Sequence, residues 1–124
     1  ENLSQAGKWL NTVDLVVEHL KTEVKSRNES FTSPASFPYS TIMVDTCRGY
    51  DGKEEKPFAY VMVSRLSGGM LFLYGDDPSE WTVESKFDRT RKITDRFYMA
   101  RRERLGTMDV LLREIMAQKA IRNG

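Results

Sequence analysis

One cysteine, Cys47, and one histidine, His19, are the residues of this chain whose types could supply a thiolate nucleophile and an imidazole base. Cys47 closes an apolar run, Ile42, Met43 and Val44, that passes through Asp45 and Thr46 and stops at the polar, glycine-bearing turn Arg48 and Gly49. The run is rich in strand formers, which predicts a buried strand over 41–47 delivering Asp45, Thr46 and Cys47 to its C-terminal edge. Open α/β sheets keep their sites at that edge. A thiolate attacking a carbonyl there needs a positioned base and backbone N–H donors for the oxyanion, and a glycine just beyond the nucleophile leaves room for such a donor. Cys47 and Gly49 fit these two parts, and the position predicts a thiol open to alkylation. The base is missing, because His19 lies between Glu18 and Leu20 in the middle of a helical pattern. The plainer alternative for Cys47 is a small buried hydrophobe.

Elements on either side must position this stretch. Trp9, Leu10, Val13, Val16, Val17, Leu20 and Val24 recur every three or four residues, which predicts an amphipathic helix over 4–27 with Ser4 as its N-cap. Residues 28–39, with three serines and two prolines, form a loop, and the charged segment 48–57 forms another bordering Cys47. Two apolar runs, 58–63 and 70–74, flank Ser67-Gly68-Gly69 and spell a hairpin. The alternative is that only 70–74 is a central strand, since five apolar residues in succession imply burial on both faces. Residues 75–80 are a turn and 81–84 a short extended piece. Asp88 caps an expected helix carrying Ile93, Phe97, Tyr98 and Ala100 to a stop at Gly106. Thr107 caps the next, with Met108, Leu111, Leu112, Ile115, Met116 and Ala120 as its apolar stripe.

Composition bounds the function classes. The chain has 124 residues, enough for one domain or the C-terminal portion of one, and 30% of them are charged, which predicts a folded, soluble protein. No apolar run approaches the length of a membrane span, so no membrane partner is expected. A single cysteine makes no internal disulfide, which leans towards a reducing, cytoplasmic compartment. One Cys and one His cannot supply a zinc site, and there is no phosphate-binding glycine loop, so neither metal nor cofactor is expected. The net charge of +1 conceals an asymmetry: from Lys86 onward eleven Lys and Arg face five Asp and Glu. That basic half, expected on the C-terminal helices, could meet nucleic acid, or it could be the solvated face of those helices.

The order helix, loop, strand, Asp45-Thr46-Cys47-Arg48-Gly49, a second apolar strand at Met70–Tyr74 and two final helices resembles the C-terminal half of the caspase-like cysteine peptidases, the paracaspases and metacaspases among them. The likeness is specific around Cys47, where an apolar strand ends in the nucleophile followed by Arg-Gly. It implies a three-layer α/β/α sandwich of which this chain supplies the C-terminal half. Two strands, 41–47 and 70–74, would then run parallel in one sheet. It also implies Cys47 as nucleophile, with Asp45 and Glu84 as an acidic pair and Trp81 lining a specificity pocket for Arg or Lys before the cut. The family's base is a histidine followed by glycine; this chain has no His-Gly, so the base would lie outside it or be absent.

Two function classes follow. The first is a caspase-like cysteine endopeptidase cleaving peptides or proteins after a basic residue, completed by a missing N-terminal half or a homodimer partner. The second is a non-catalytic α+β interaction or scaffold subunit, a small domain with an antiparallel sheet and flanking helices, which the absent histidine favours. Nucleic-acid binding is a third.

Overall fold

The computed structural model describes residues 20–123, a mixed α/β arrangement with two sheets and few helices. In chain order the strands are β1 (Thr22–Arg27), β2 (Thr41–Thr46), β3 (Ala59–Ser64), β4 (Met70–Tyr74), β5 (Thr82–Asp88), β6 (Ile93–Arg101) and β7 (Gly106–Thr107). The helices are α1 (Cys47–Asp51) and α2 (Met108–Asn123), with 3-10 turns at Pro34–Ser36 and Arg102–Arg104. One sheet has the order β1-β3-β4-β7 and the other β2-β6-β5.

Sheet alternation explains the layering. All six residues of β3 are buried, and neighbours on a strand point to opposite faces. Tyr60 and Met62, with Leu71 and Leu73 of β4, pack against Ile42, Val44 and Ala100 of the second sheet. Ala59, Val61 and Val63, with Phe72, pack against Leu111 and Ile115 of α2. The layers therefore run sheet, sheet, helix. The apolar runs 58–63 and 70–74 form the expected hairpin, in register Ala59 with Tyr74 through Val63 with Met70, and both strands are interior. Their consecutive apolar residues match burial on both faces.

Three expectations are corrected. Residues 22–27 are strand β1, parallel to β3 and in register Thr22 with Ala59 through Arg27 with Ser64, not the end of a helix. Leu20 and Lys21 are not helical either, and residues 4–19 of that expected helix, with Ser4 and His19, lie outside the described residues. Residues 93–101 are strand β6, not a helix. Asp88 does accept from the backbone N–H groups of Thr90 and Arg91, at 2.9 and 3.1 Å, but the chain reverses there through Lys92 at φ 58°. The third correction is that β2 and β4 lie in different sheets, so they are not the parallel neighbours the resemblance implied. The last helix begins at Met108, directly after Thr107.

Candidate functional site

β2 stops at Thr46, one residue short of the expected end, and Cys47 opens the helix that follows. Asp45 is 8% exposed, and Cys47, expected to be open to alkylation, is buried at 9%. The Asp45 carboxylate is already occupied. Its Oδ2 accepts from Lys53 Nζ at 2.8 Å and from Tyr60 Oη at 3.0 Å; its Oδ1 accepts from Lys25 Nζ at 3.4 Å and from the backbone N–H of Thr46 at 2.9 Å. Glu23 joins the cluster, 3.2 Å from Lys25 and 3.8 Å from Lys53. Strand β1 makes this possible. Glu23 and Lys25 stand opposite Tyr60 and Met62, and so face the second sheet.

The electrostatics follow from that geometry. Burial alone would push the Asp45 carboxyl up, but the Lys53 hydrogen bond, the Lys25 charge and the Tyr60 hydrogen bond together hold it below the usual range. Burial and the Asp45 charge push the Tyr60 hydroxyl well up. A carboxylate so saturated with donors of its own chain has little left for a substrate guanidinium.

Cys47 opens α1, a five-residue helix with Thr46 as N-cap. Thr46 Oγ1 accepts from the Gly49 N–H at 2.9 Å, so the donor expected to serve an oxyanion is committed to the cap. A side chain at Gly49 would bring a Cβ within 2.7 Å of Thr46 Oγ1 and 3.1 Å of Asp45 Oδ1, which accounts for the glycine by packing. Burial pushes the Cys47 thiol up; Arg96 opposes this, while Asp51 and Asp95 add to the rise. A protonated, buried thiol is a poor nucleophile.

Glu84 lies on β5, opposite Phe97 of β6, whereas Asp45 of β2 lies opposite the next residue, Tyr98. Consecutive residues of β6 point to opposite faces, so the two carboxylates do not converge on one cavity. Trp81 instead joins an aromatic cluster, its ring centroid 5.0 Å from Tyr50 and 5.7 Å from Tyr98. Tyr50 Oη donates to the Gly75 carbonyl at 2.7 Å and Tyr98 Oη to Asp51 at 2.7 Å, which pins α1 over the end of the sheets. A cavity of about 40 Å³ lies between Trp81, Glu80, Asp77 and Arg104, and a wider groove of about 430 Å³ runs past Tyr39, Thr41, Met43, Met99 and Lys86. Neither includes Cys47.

The sequence does not single out Lys25, Lys53 or Tyr60. Tyr60 carries the one usable signal, since a phenol inside an apolar strand requires a hydrogen-bond partner. Part of the basic half is paired with acids of the chain: Arg91 with Asp88 and Asp95, Arg101 and Arg104 with Glu80, and Arg113 with Asp109. Among the described residues no group of three or more His, Cys, Asp or Glu is arranged to hold a metal ion, and no helix is long and apolar enough to cross a membrane. Compared with protein-family models, curated proteins and solved structures, the chain matches none.

Proposed function

We propose that this chain is a non-catalytic α+β interaction domain that works through the β5–β6 hairpin. The observation that carries the reading is the exposure of apolar side chains on that hairpin. Phe87 is 60% exposed, Val83 43% and Ile93 42%, and among the described residues β5 has β6 on one side and no strand on the other. A scattered exposed hydrophobe is ordinary, but Val83 and Phe87 share one face of an unpaired edge strand, with Ile93 on the other face at the hairpin's end opposite Asp88, and such an edge is suited to strand addition. Its charged residues Glu84, Lys86 and Asp88 are of the kind that discourage indiscriminate edge pairing, so a partner strand must match them.

The occupied Asp45 carboxylate, the capped Gly49 amide and the raised Cys47 thiol favour this reading over the endopeptidase. The caspase-like sandwich draws no support from β2 and β4 in separate sheets. The test is turnover of fluorogenic peptides carrying Arg, Lys or Asp before the scissile bond. Wild type and Cys47→Ala are expected to be equally silent. Turnover that Cys47→Ala abolishes overturns the interaction reading and restores the peptidase.

A further inference from the structure

We infer that the occupant of the β5 edge is a second copy of this chain, paired antiparallel about a two-fold axis at Ser85, so that two three-stranded sheets become one of six strands. This rests on the interaction reading above and names its partner. What points to a second copy is the edge strand itself, Thr82-Val83-Glu84-Ser85-Lys86-Phe87-Asp88, whose midpoint is Ser85.

A two-fold axis that joins identical antiparallel edges stands perpendicular to the sheet, and directly opposed residues share a face, so the register must be centred on a residue. Centred on Ser85, all seven residues pair. Glu84 then faces Lys86 of the second copy and Lys86 faces its Glu84, while on the other face Val83 meets Phe87 and Phe87 meets Val83. Directly opposed residues of this kind are the unit of sheet stabilisation: unlike charges and apolar pairs attract, like charges repel. Moving the axis by one residue breaks the match. Centred on Glu84, that carboxylate opposes itself; centred on Lys86, the ammonium opposes itself and Glu84 opposes Asp88. The strand thus specifies one register and penalises its neighbours.

The chain is in position to use this register. The first six residues of β5 are exposed, and among the described strands its sheet pairing runs to β6 alone. Pairing through the free edge would satisfy its outward N–H and C=O groups and cover Val83 and Phe87.

Sedimentation velocity over a concentration series tests the proposal. Wild type is expected to approach twice the 14.3 kDa chain mass as concentration rises. Lys86→Glu and Glu84→Lys, each shown folded by circular dichroism, should each weaken self-association by about tenfold or more, because each replaces two unlike pairs with like ones. Mixing the two variants should regenerate a dimer, since positions 84 and 86 are then both acidic in one copy and both basic in the other. The double exchange E84K/K86E should self-associate again. Should Lys86→Glu fail to fold because it faces Asp95 within the sheet, Glu84→Lys, which faces Phe97, carries the same test. A wild type that stays monomeric throughout, or a dimer indifferent to both substitutions, overturns the dimer. Those outcomes leave the interaction reading standing, which only Cys47-dependent turnover removes.

Discussion

Tyr60 Oη donates to Asp45 Oδ2 at 3.0 Å across the gap between the two sheets, joining β3 to the end of β2. Tyr60 is fully buried, so its hydroxyl has no water to fall back on, and the carboxylate it meets is charged. Tyr60→Phe removes the donor and keeps the ring. Hydrogen bonds to charged groups contribute about 1.5–3 kcal/mol, so urea unfolding should show a loss in that range with an unchanged m-value. A loss below about 0.5 kcal/mol, the lower edge for an ordinary hydrogen bond, would mean that the Lys53 contact alone suffices for Asp45.

Asp45 also sets an acid limb. Because its folded carboxyl is held below the ordinary range, the folded state binds fewer protons than the unfolded state between the two values, and stability rises with pH there. The contribution is complete above the unfolded value of about 3.9 and is lost as pH falls through the folded one. Asp45→Asn should therefore flatten the stability profile below about pH 4 while lowering stability at neutral pH, where Lys53 and Lys25 lose their counter-charge. Thermal melts of both proteins from about pH 2 to neutrality check this; parallel acid limbs would assign the acid sensitivity to other carboxylates.

What can be read from the sequence and what cannot divides by the range of the interaction. β2, the β3–β4 hairpin and α2 follow from local signals: an apolar run ending at Cys47, two runs around Gly68 and Gly69, and a stripe after Thr107. β1 is hidden because Val24 continues the three-to-four spacing of Val16, Val17 and Leu20, while its pairing with β3 joins residues far apart in the chain. β6 is hidden by Asp88, whose carboxylate accepts N–H groups two and three residues on, the pattern shared by a helix cap and a tight turn. Met99, 3% exposed, falls outside the helical stripe and fits only the two-residue period. At the candidate site, the residues around Cys47 are legible and their relations are not. Asp45 is held from positions 25, 53 and 60, and no spacing along the chain announces that convergence.

Gly69 has a role that its neighbour Gly68, at φ 74°, does not share. A Cβ at Gly69 would stand 1.9 Å from the Phe31 carbonyl oxygen and 2.9 Å from its carbon, contacts with backbone that cannot swing aside. Ser67 Oγ donates to the same Phe31 carbonyl at 2.6 Å, so the β3–β4 turn and the loop that buries Phe31 are clamped together. Gly69→Ala should cost about 3 kcal/mol, the upper end for overpacking, measured by chemical denaturation. A cost under about 1 kcal/mol would show that the Phe31 loop yields easily.

The final prediction concerns the thiol on which the peptidase reading depends. The strand-edge position of Cys47 predicts an accessible, alkylatable sulfur, whereas the structure buries it at the first turn of α1 and raises its pKa through burial. Alkylation requires both contact with reagent and a thiolate, and both are suppressed here. Intact-mass measurement after iodoacetamide at mildly alkaline pH should find native protein modified at least about tenfold more slowly than protein unfolded in urea, where the thiol returns to an ordinary pKa of about 8.5. Cys47→Ser tests the same point from the other side. A buried hydrophobe replaced by a hydroxyl without a partner should lose about 1–3 kcal/mol, whereas Cys47→Ala should lose less. Equal rates of alkylation in the native and unfolded states would put Cys47 back among the reactive cysteines and reopen the case for catalysis at the end of β2.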